Sequence, residues 1–371
     1  MKPHEAKRFQ ISLVAIAVLG FAHTTVAASE SSGLAHSLRE KVTFGISLQP
    51  QYDALSSELE IDGNKTTLES DRLFFRRAFL GAKAKLSERW RTQYLTDVSD
   101  HWVENQIVRL EWKASARNTF RFGYEKMPFG YEDTTSSSKV KPIERSANTR
   151  FWNEVVGVGS YHSGVQLFSD LGHGFSSVVV ISHNVKSDSA WPDIANGEFA
   201  SYVRIDRKGH DWAGRDYLLG IDVARRASSR LTDLTAASLH GWWRIGAYEL
   251  SAEATTGRIA PQLGDAMKPV GWHAQASRFI GEAFELVARY SQVEGDGYGM
   301  KIGSLIRKAP NSGYKYDRVD SWYCGLNYTA VPNRLTLSVG YEYGTGANAV
   351  RTADYAKETV NGFRLRGIAR F

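Results

Sequence analysis

The sequence predicts an all-β fold: a sixteen-stranded antiparallel transmembrane β-barrel with short periplasmic turns and long external loops. Three observations predict it: an export leader, period-two alternation that runs to the last residue, and two sorted classes of connector. Composition removes the competitors. The chain has 371 residues, 46 Lys+Arg against 40 Asp+Glu, and a formal charge of +6. With 23% charged and 12% aromatic residues it is not a disordered chain. One cysteine excludes an internal disulfide framework and any Cys-rich zinc module. Beyond the first 28 residues no apolar run reaches 18, which excludes helical membrane spans but not strands that are apolar only at alternate positions.

Residues 1–28 read as a signal peptide and 29–371 as one barrel domain. Lys2, Lys7 and Arg8 form a basic start, and Ile11 to Phe21 an apolar core too short to span a membrane. Val26 and Ala28 suit cleavage after Ala28, with Ala27 a near-equal site. An exported, weakly basic chain has no nucleic-acid partner to meet. In an oxidising compartment Cys324 is expected to be buried or lipid-facing.

Alternation sets the strands. Val42, Phe44, Ile46 and Leu48 alternate with Thr43, Gly45, Ser47 and Gln49. Leu335, Leu337, Val339, Tyr341 and Tyr343 alternate with Thr336, Ser338, Gly340 and Glu342. Strict alternation sends side chains to opposite faces, one apolar and one polar. Sixteen such segments fall at 41–50, 72–86, 89–98, 103–114, 118–126, 160–169, 175–184, 198–207, 215–226, 234–245, 247–257, 270–280, 283–293, 318–330, 334–344 and 360–371. Short, turn-like connectors include Ser87-Glu88, Leu171 to Gly174, Gly246 and Val331 to Asn333. The long ones are 51–71, 127–159, 185–197, 258–269, 294–317 and 345–359. Short turns at one end and long loops at the other is the wiring of a bacterial outer-membrane barrel. A β-sandwich has no reason to sort its loops, and no repeat of 20–50 residues suggests a propeller. Trp90, Trp112, Tyr217, Trp243, Trp322 and Tyr343 lie near strand ends, where interfacial girdles would put them. Phe371 closes the last alternating strand, as the terminal aromatic read by the barrel-assembly machinery does.

Several stretches resemble the phosphate-selective porin O and P family. Phe74–Leu86 (FFRRAFLGAKAKL) looks like that family's second strand, and Phe120–Ser138 like its strand leading into a Pro-Phe-Gly step and third loop. Val140–Phe151 is similar to the loop's Glu-Arg-Ser segment, Cys324–Tyr343 to the penultimate hairpin and Gly362–Phe371 to the closing strand. The resemblance implies a trimeric outer-membrane channel with an inward-folded third loop. It implies passive diffusion of small inorganic anions, phosphate or polyphosphate among them, with no cofactor.

A Lys or Arg on the lipid face near the midplane costs about 2–4 kcal/mol, so a basic residue between apolar neighbours faces the lumen. This rule places Arg77, Lys83, Lys85, Arg109, Arg121, Arg204, Arg244, Arg289, Arg364 and Arg366 along an anion path. Closure of the last strand on the first is expected to set Arg364 and Arg366 beside Thr43 and Ser47. Guanidiniums suit oxyanions because their fork matches two oxygens. About half of these cations are expected to pair with carboxylates across strands instead. If the third loop folds inward as the resemblance implies, Lys139, Lys141, Arg145 and Arg150 lie at the constriction, with Thr134 to Ser138 offering hydroxyls to ions losing water. Arg145 beside Glu144 is either part of the filter or part of the loop's anchor.

No metal or catalytic motif stands out. There is no H-E-x-x-H in the mature chain and no G-x-S-x-G. The glycines at 157–159 and 295–299 lack a strand–turn–helix context, and Glu294, Asp296 and Asp317 lack the spacing of a calcium loop. Not an enzyme is therefore the expectation. The competing classes are a weakly selective general porin, a barrel hydrolase built on Ser160 and His162, and a soluble exported β-protein.

Overall fold

The computed structural model describes residues 41–99, 103–183, 199–226, 232–261, 263–350 and 356–371. The expected leader at 1–28 and the expected loop at 185–197 lie outside them. The strands are β1 (Val42–Ile61), β2 (Asn64–Lys85), β3 (Trp90–Asp97), β4 (Glu104–Lys113), β5 (Asn118–Lys126), β6 (Tyr161–Gly172), β7 (Phe175–His183) and β8 (Phe199–His210). They continue as β9 (Asp216–Arg226), β10 (Asp233–Ile245), β11 (Tyr248–Ala260), β12 (Val270–Ile280), β13 (Phe284–Glu294), β14 (Tyr316–Val331), β15 (Leu335–Ala349) and β16 (Ala356–Arg370). Each pairs with the next, and β16 returns to β1, so the barrel closes. Closure pairs neighbouring strands around the whole cylinder, which hydrocarbon requires, while the top of β2 extends beyond β3.

Alternation is realised as an apolar outer wall and a polar inner one. On β9, Leu219, Ile221 and Val223 are 40–46% exposed on the outer wall, while Asp222 between them is fully buried inside. On β16, Phe363 and Leu365 face out, and Arg364 and Arg366 are buried within. Cys324 is exposed on the outer wall, level with Ala288 and Tyr341.

Two expected loops are strand instead. Residues 51–71 complete the β1–β2 hairpin, which turns at Asp62 (φ 49°) and Gly63 (φ 82°). Positive φ at both centre positions gives the two-residue turn that matches strand twist, so Asp-Gly was the decisive signal. Charged Glu58 and Glu60 on the outer face hid the alternation of buried Leu55, Ser57 and Leu59. Likewise β15 runs to Ala349 and β16 begins at Ala356, inside the expected loop 345–359. The long β1 also corrects the seam. Ser47 meets Arg370, whereas Arg366 and Arg364 meet Gln51 and Asp53 rather than Thr43 and Ser47. The chain ends at the turn end of β1, and the stagger that closes a tilted barrel carries both arginines higher.

A bulge opposite Pro50 makes Gln49 pair with Arg77 and Pro50 with Phe75, leaving Arg76 as the extra residue. Pro50 has no N–H to donate to a ladder, and the added residue flips the parity of β2. Arg76 and Arg77 therefore both turn inward.

The apolar core lies inside the barrel, in its loop-end half. The β5–β6 connector contributes Met127, Phe129, Phe151 and Trp152, and the β13–β14 connector contributes Met300, Ile302, Leu305 and Ile306. They pack on one another and on Leu55, Leu59, Val293, Val319 and Val360 of the wall. Wall glycines make room: a Cβ on Gly257 would stand 2.8 Å from the Trp152 ring, and one on Gly344 would collide with Ile306. Gly257→Val is expected to unseat Trp152 and speed tryptic cleavage after Arg150, with the barrel still assembled; unchanged cleavage kinetics would show the socket is not needed.

Candidate functional site

The third loop crosses the lumen and is fastened to the wall along its whole length. It leaves β5 through Gly130 (φ 80°), whose N–H donates to Asp222 at 2.8 Å. One helical turn, Tyr131–Thr134, follows; the Glu132 N–H donates to Glu253 at 3.1 Å, and the Tyr131 ring stacks on His240. The Ser-rich run then descends toward the turn end. Gln49 donates to the Ser137 hydroxyl, and Arg370 to the Ser138 carbonyl. The chain rises again through Lys141, Glu144 and Arg145 to a second turn, Ala147–Arg150, which the Ser146 hydroxyl caps by accepting from the Thr149 N–H at 3.1 Å.

Two loop carboxylates are the main fasteners. Glu144 accepts from Arg76 Nε at 2.8 Å and Gln51 Nε2 at 3.1 Å, with Arg307 3.7 Å away. Burial opposes its ionisation, but Arg76, Arg307 and Arg364 hold it well below the usual carboxylate range. Glu132 accepts from Arg289 at 2.9 Å and from the Ser146 N–H and hydroxyl. Burial would raise its carboxyl as well; Arg289, then His273 and the hydroxyls of Ser146 and Thr149, outweigh that and bring it down to about 2.

The four loop cations named from sequence occupy different environments. Lys139 is exposed and has no ionic partner among the described residues. Lys141 bridges Glu249 (2.8 Å) and Glu285 (2.5 Å) and sits over the Phe279 ring. Arg145 donates to the carbonyls of Glu132, Asp133 and Thr135, where it terminates the first helical turn. Arg150 ties Glu154 to the Ser304 carbonyl of the β13–β14 connector.

The wall cations point inward and divide by height. Arg289, Arg364 and Arg366 are buried anchors. Arg366 donates to the Ile143 and Val140 carbonyls, and Arg364 donates to Asp53 and Glu342, each at 2.6 Å, and to the Arg307 carbonyl. Arg204 pairs with Asp206 and touches Thr134 and His240. On the β2–β5 wall Arg77 pairs with Asp97, Arg109 with Glu125 and Arg121 with Glu111, yet their side chains keep 18–25% exposure. Nearer the turn end Lys83 is exposed with no partner among the described residues, Lys85 pairs with Glu88, and exposed Arg244 lies over Phe279.

Sequence reasoning missed Arg76, Arg307, Glu253 and His240; Asp222 was among the carboxylates expected to pair with wall cations, as it does with Arg204 at 3.6 Å, but not as a partner of the third loop. Arg76 was legible as one of two adjacent arginines that alternation cannot both place inside without a bulge. Asp222, Glu253 and His240 face the lumen by parity, and Arg307 lies in the β13–β14 connector, but nothing in their local pattern marks them as contacts of a distant loop. Ser160, the hydroxyl considered for hydrolysis, donates to the Asn153 carbonyl at 2.7 Å.

Residues 44–175 match the family model for phosphate-selective porin O and P. No curated protein matches the chain. Among solved structures, an anion-selective porin from Comamonas acidovorans is similar with a TM-score of 0.60 at 11% identity, covering 89% of this chain and 100% of that one. OprB of Pseudomonas putida gives 0.61 at 10% identity over 91% and 96%, and the outer-membrane channel DcaP of Acinetobacter baumannii 0.59 at 12% over 89% and 97%. Identities this low speak for the fold alone. Over residues 44–175 the chain is similar to the phosphate-selective porin O and P family, and its described residues form a closed sixteen-stranded barrel like those of solved outer-membrane porins.

Proposed function

We propose that the protein is an outer-membrane porin that lets small anions diffuse passively, with its turn end in the periplasm. The reading is carried by one observation: Arg77, Arg109 and Arg121 form an inward row on the β2–β5 wall that stays partly open to water. Their carboxylate partners neutralise them on paper, Arg121 lying between Glu111 (3.1 Å) and Glu125 (3.6 Å), yet a guanidinium carries more N–H donors than these pairs occupy and keeps some for a passing oxyanion. Lys83, Lys139 and Arg244 add exposed positive charge toward the turn end. Low-dielectric walls focus such a field and raise the local anion concentration. Inorganic phosphate is the candidate cargo on family grounds. A homotrimer, export through the leader and recognition of Phe371 by the assembly machinery complete the reading.

The test is reconstitution of the full protein into planar bilayers in KCl and then in potassium phosphate. Stepwise current increments in both salts are expected. Arg77→Gln combined with Arg121→Gln is expected to cut anion conductance at low salt and to matter less at 1 M, where screening shortens the field. Equal loss at both salt levels contradicts focusing, and absence of any increments contradicts the porin reading.

A further inference from the structure

The β13–β14 connector, residues 295–315, is the seventh connector at the loop end; it enters the barrel and lies against the third loop. Its helical turn Ile302–Leu305 is buried, Ile306 fills the space over Gly344, and Ser312 donates to Glu358 of the wall at 2.6 Å. This docking carries the tip, Arg307 and Lys308, across the lumen. Arg307 reaches the third loop's Glu144 (3.7 Å) and Glu154 (3.9 Å). The Lys308 ammonium lies 5.4 Å from the Phe74 ring centre on the inner face of β2.

Most cations of the third loop and of the adjoining wall are engaged at hydrogen-bond distance by carboxylates or carbonyls. The two at this tip are not. Arg307 Nε is buried with no hydrogen-bond acceptor, and its two ion pairs are long. Lys308 has no carboxylate partner among the described residues, and its ammonium rests against the aromatic face of Phe74. Its backbone also sits at φ 61°, a conformation rare for a side chain of this size and usually held only where the surroundings enforce it. A strained, unpaired lysine beside an under-used guanidinium, above the crossing of two loops, is suited to holding an anion briefly as it sheds water.

We propose that Arg307 and Lys308 form the anion-selecting pair of the passage, presenting one ammonium and one guanidinium edge to a permeating oxyanion or halide. The proposal rests on the porin reading above and adds the seventh loop to the β2–β5 wall as a place of selection.

The experiment is the zero-current potential of the full protein in planar bilayers under a KCl gradient, native against Lys308→Gln, Lys308→Arg and Lys139→Gln. Lys308→Gln is expected to lower the chloride-to-potassium permeability ratio by roughly twofold or more. Lys308→Arg is expected to retain the native potential, and Lys139→Gln to shift it less than Lys308→Gln. Arg307→Gln is expected to act in the same direction as Lys308→Gln. A Lys308→Gln channel with changed conductance but the native potential would mean Lys308 only props the loop, and the proposal fails. Lys308→Gln leaves no carboxylate stranded, so the barrel is expected to assemble; should it not, Arg307→Gln with an unshifted potential overturns the proposal equally. A native protein that passes no current fails the porin reading itself, which is a different result from a selective native channel indifferent to Lys308.

Discussion

Arg364→Met is expected to lower the unfolding free energy of the barrel by about 3–5 kcal/mol, the usual cost of stranding buried charge. Arg364 is fully buried and holds Asp53 of β1 and Glu342 of β15 at 2.6 Å each, so it clamps three strands across the seam where the sheet closes. It also donates to the Arg307 carbonyl, so its loss loosens the seventh loop. Methionine comes near the volume and removes the charge, leaving two buried carboxylates without their cation. Adding Asp53→Asn and Glu342→Gln is expected to recover much of the loss, because the charges are then removed together. Heat-induced change of electrophoretic migration and urea unfolding in detergent read both effects. A midpoint unchanged by Arg364→Met would show the seam does not depend on this cluster.

The second large effect is acid release of the third loop. Glu132 has its carboxyl depressed from 4.5 to about 2. For a depressed carboxylate the stabilisation is complete above the unfolded value, near 4.5, and disappears as pH falls through about 2. A shift of that size corresponds to about 3 kcal/mol of docking free energy. Tryptic access is unsuitable at such pH, so conductance is the readout: it is expected to stay level from pH 7 to 5, then to change, and to become noisier, toward pH 2 as the loop detaches. Glu132→Gln is expected to show the detached behaviour already at neutral pH. A conductance indifferent to pH across this range, together with a quiet Glu132→Gln channel, would contradict the fastening role.

The fold was legible because alternation is a local property: hydrocarbon on one side and water on the other act on each strand separately. Errors came where the period survived but its polarity did not. Glu58 and Glu60 lie beyond the apolar band, so the top of β1 reads as loop although Asp62-Gly63 marks the turn. The direction of the lumen arginines was also legible, since a charge between lipid-facing neighbours has one way to point. Their employment was not. Whether Arg289 or Arg366 meets an ion or a loop carbonyl depends on how residues 127–160 and 295–315 fill the barrel. That filling rests on contacts between positions more than a hundred residues apart, such as Arg289 with Glu132 and Arg366 with Ile143. Met300, Ile302, Leu305 and Ile306 formed the one local hint, being apolar residues in a segment otherwise typical of a solvated loop.

The most direct test of the central claim, that this cylinder encloses a water-filled path favouring negative ions, is the sign of the zero-current potential of the native protein across a bilayer with concentrated KCl on one side and dilute KCl on the other. A potential on the chloride side of zero, from channels that appear in discrete steps, is the predicted result. A potential on the potassium side, or folded barrels that insert without carrying current, would contradict it.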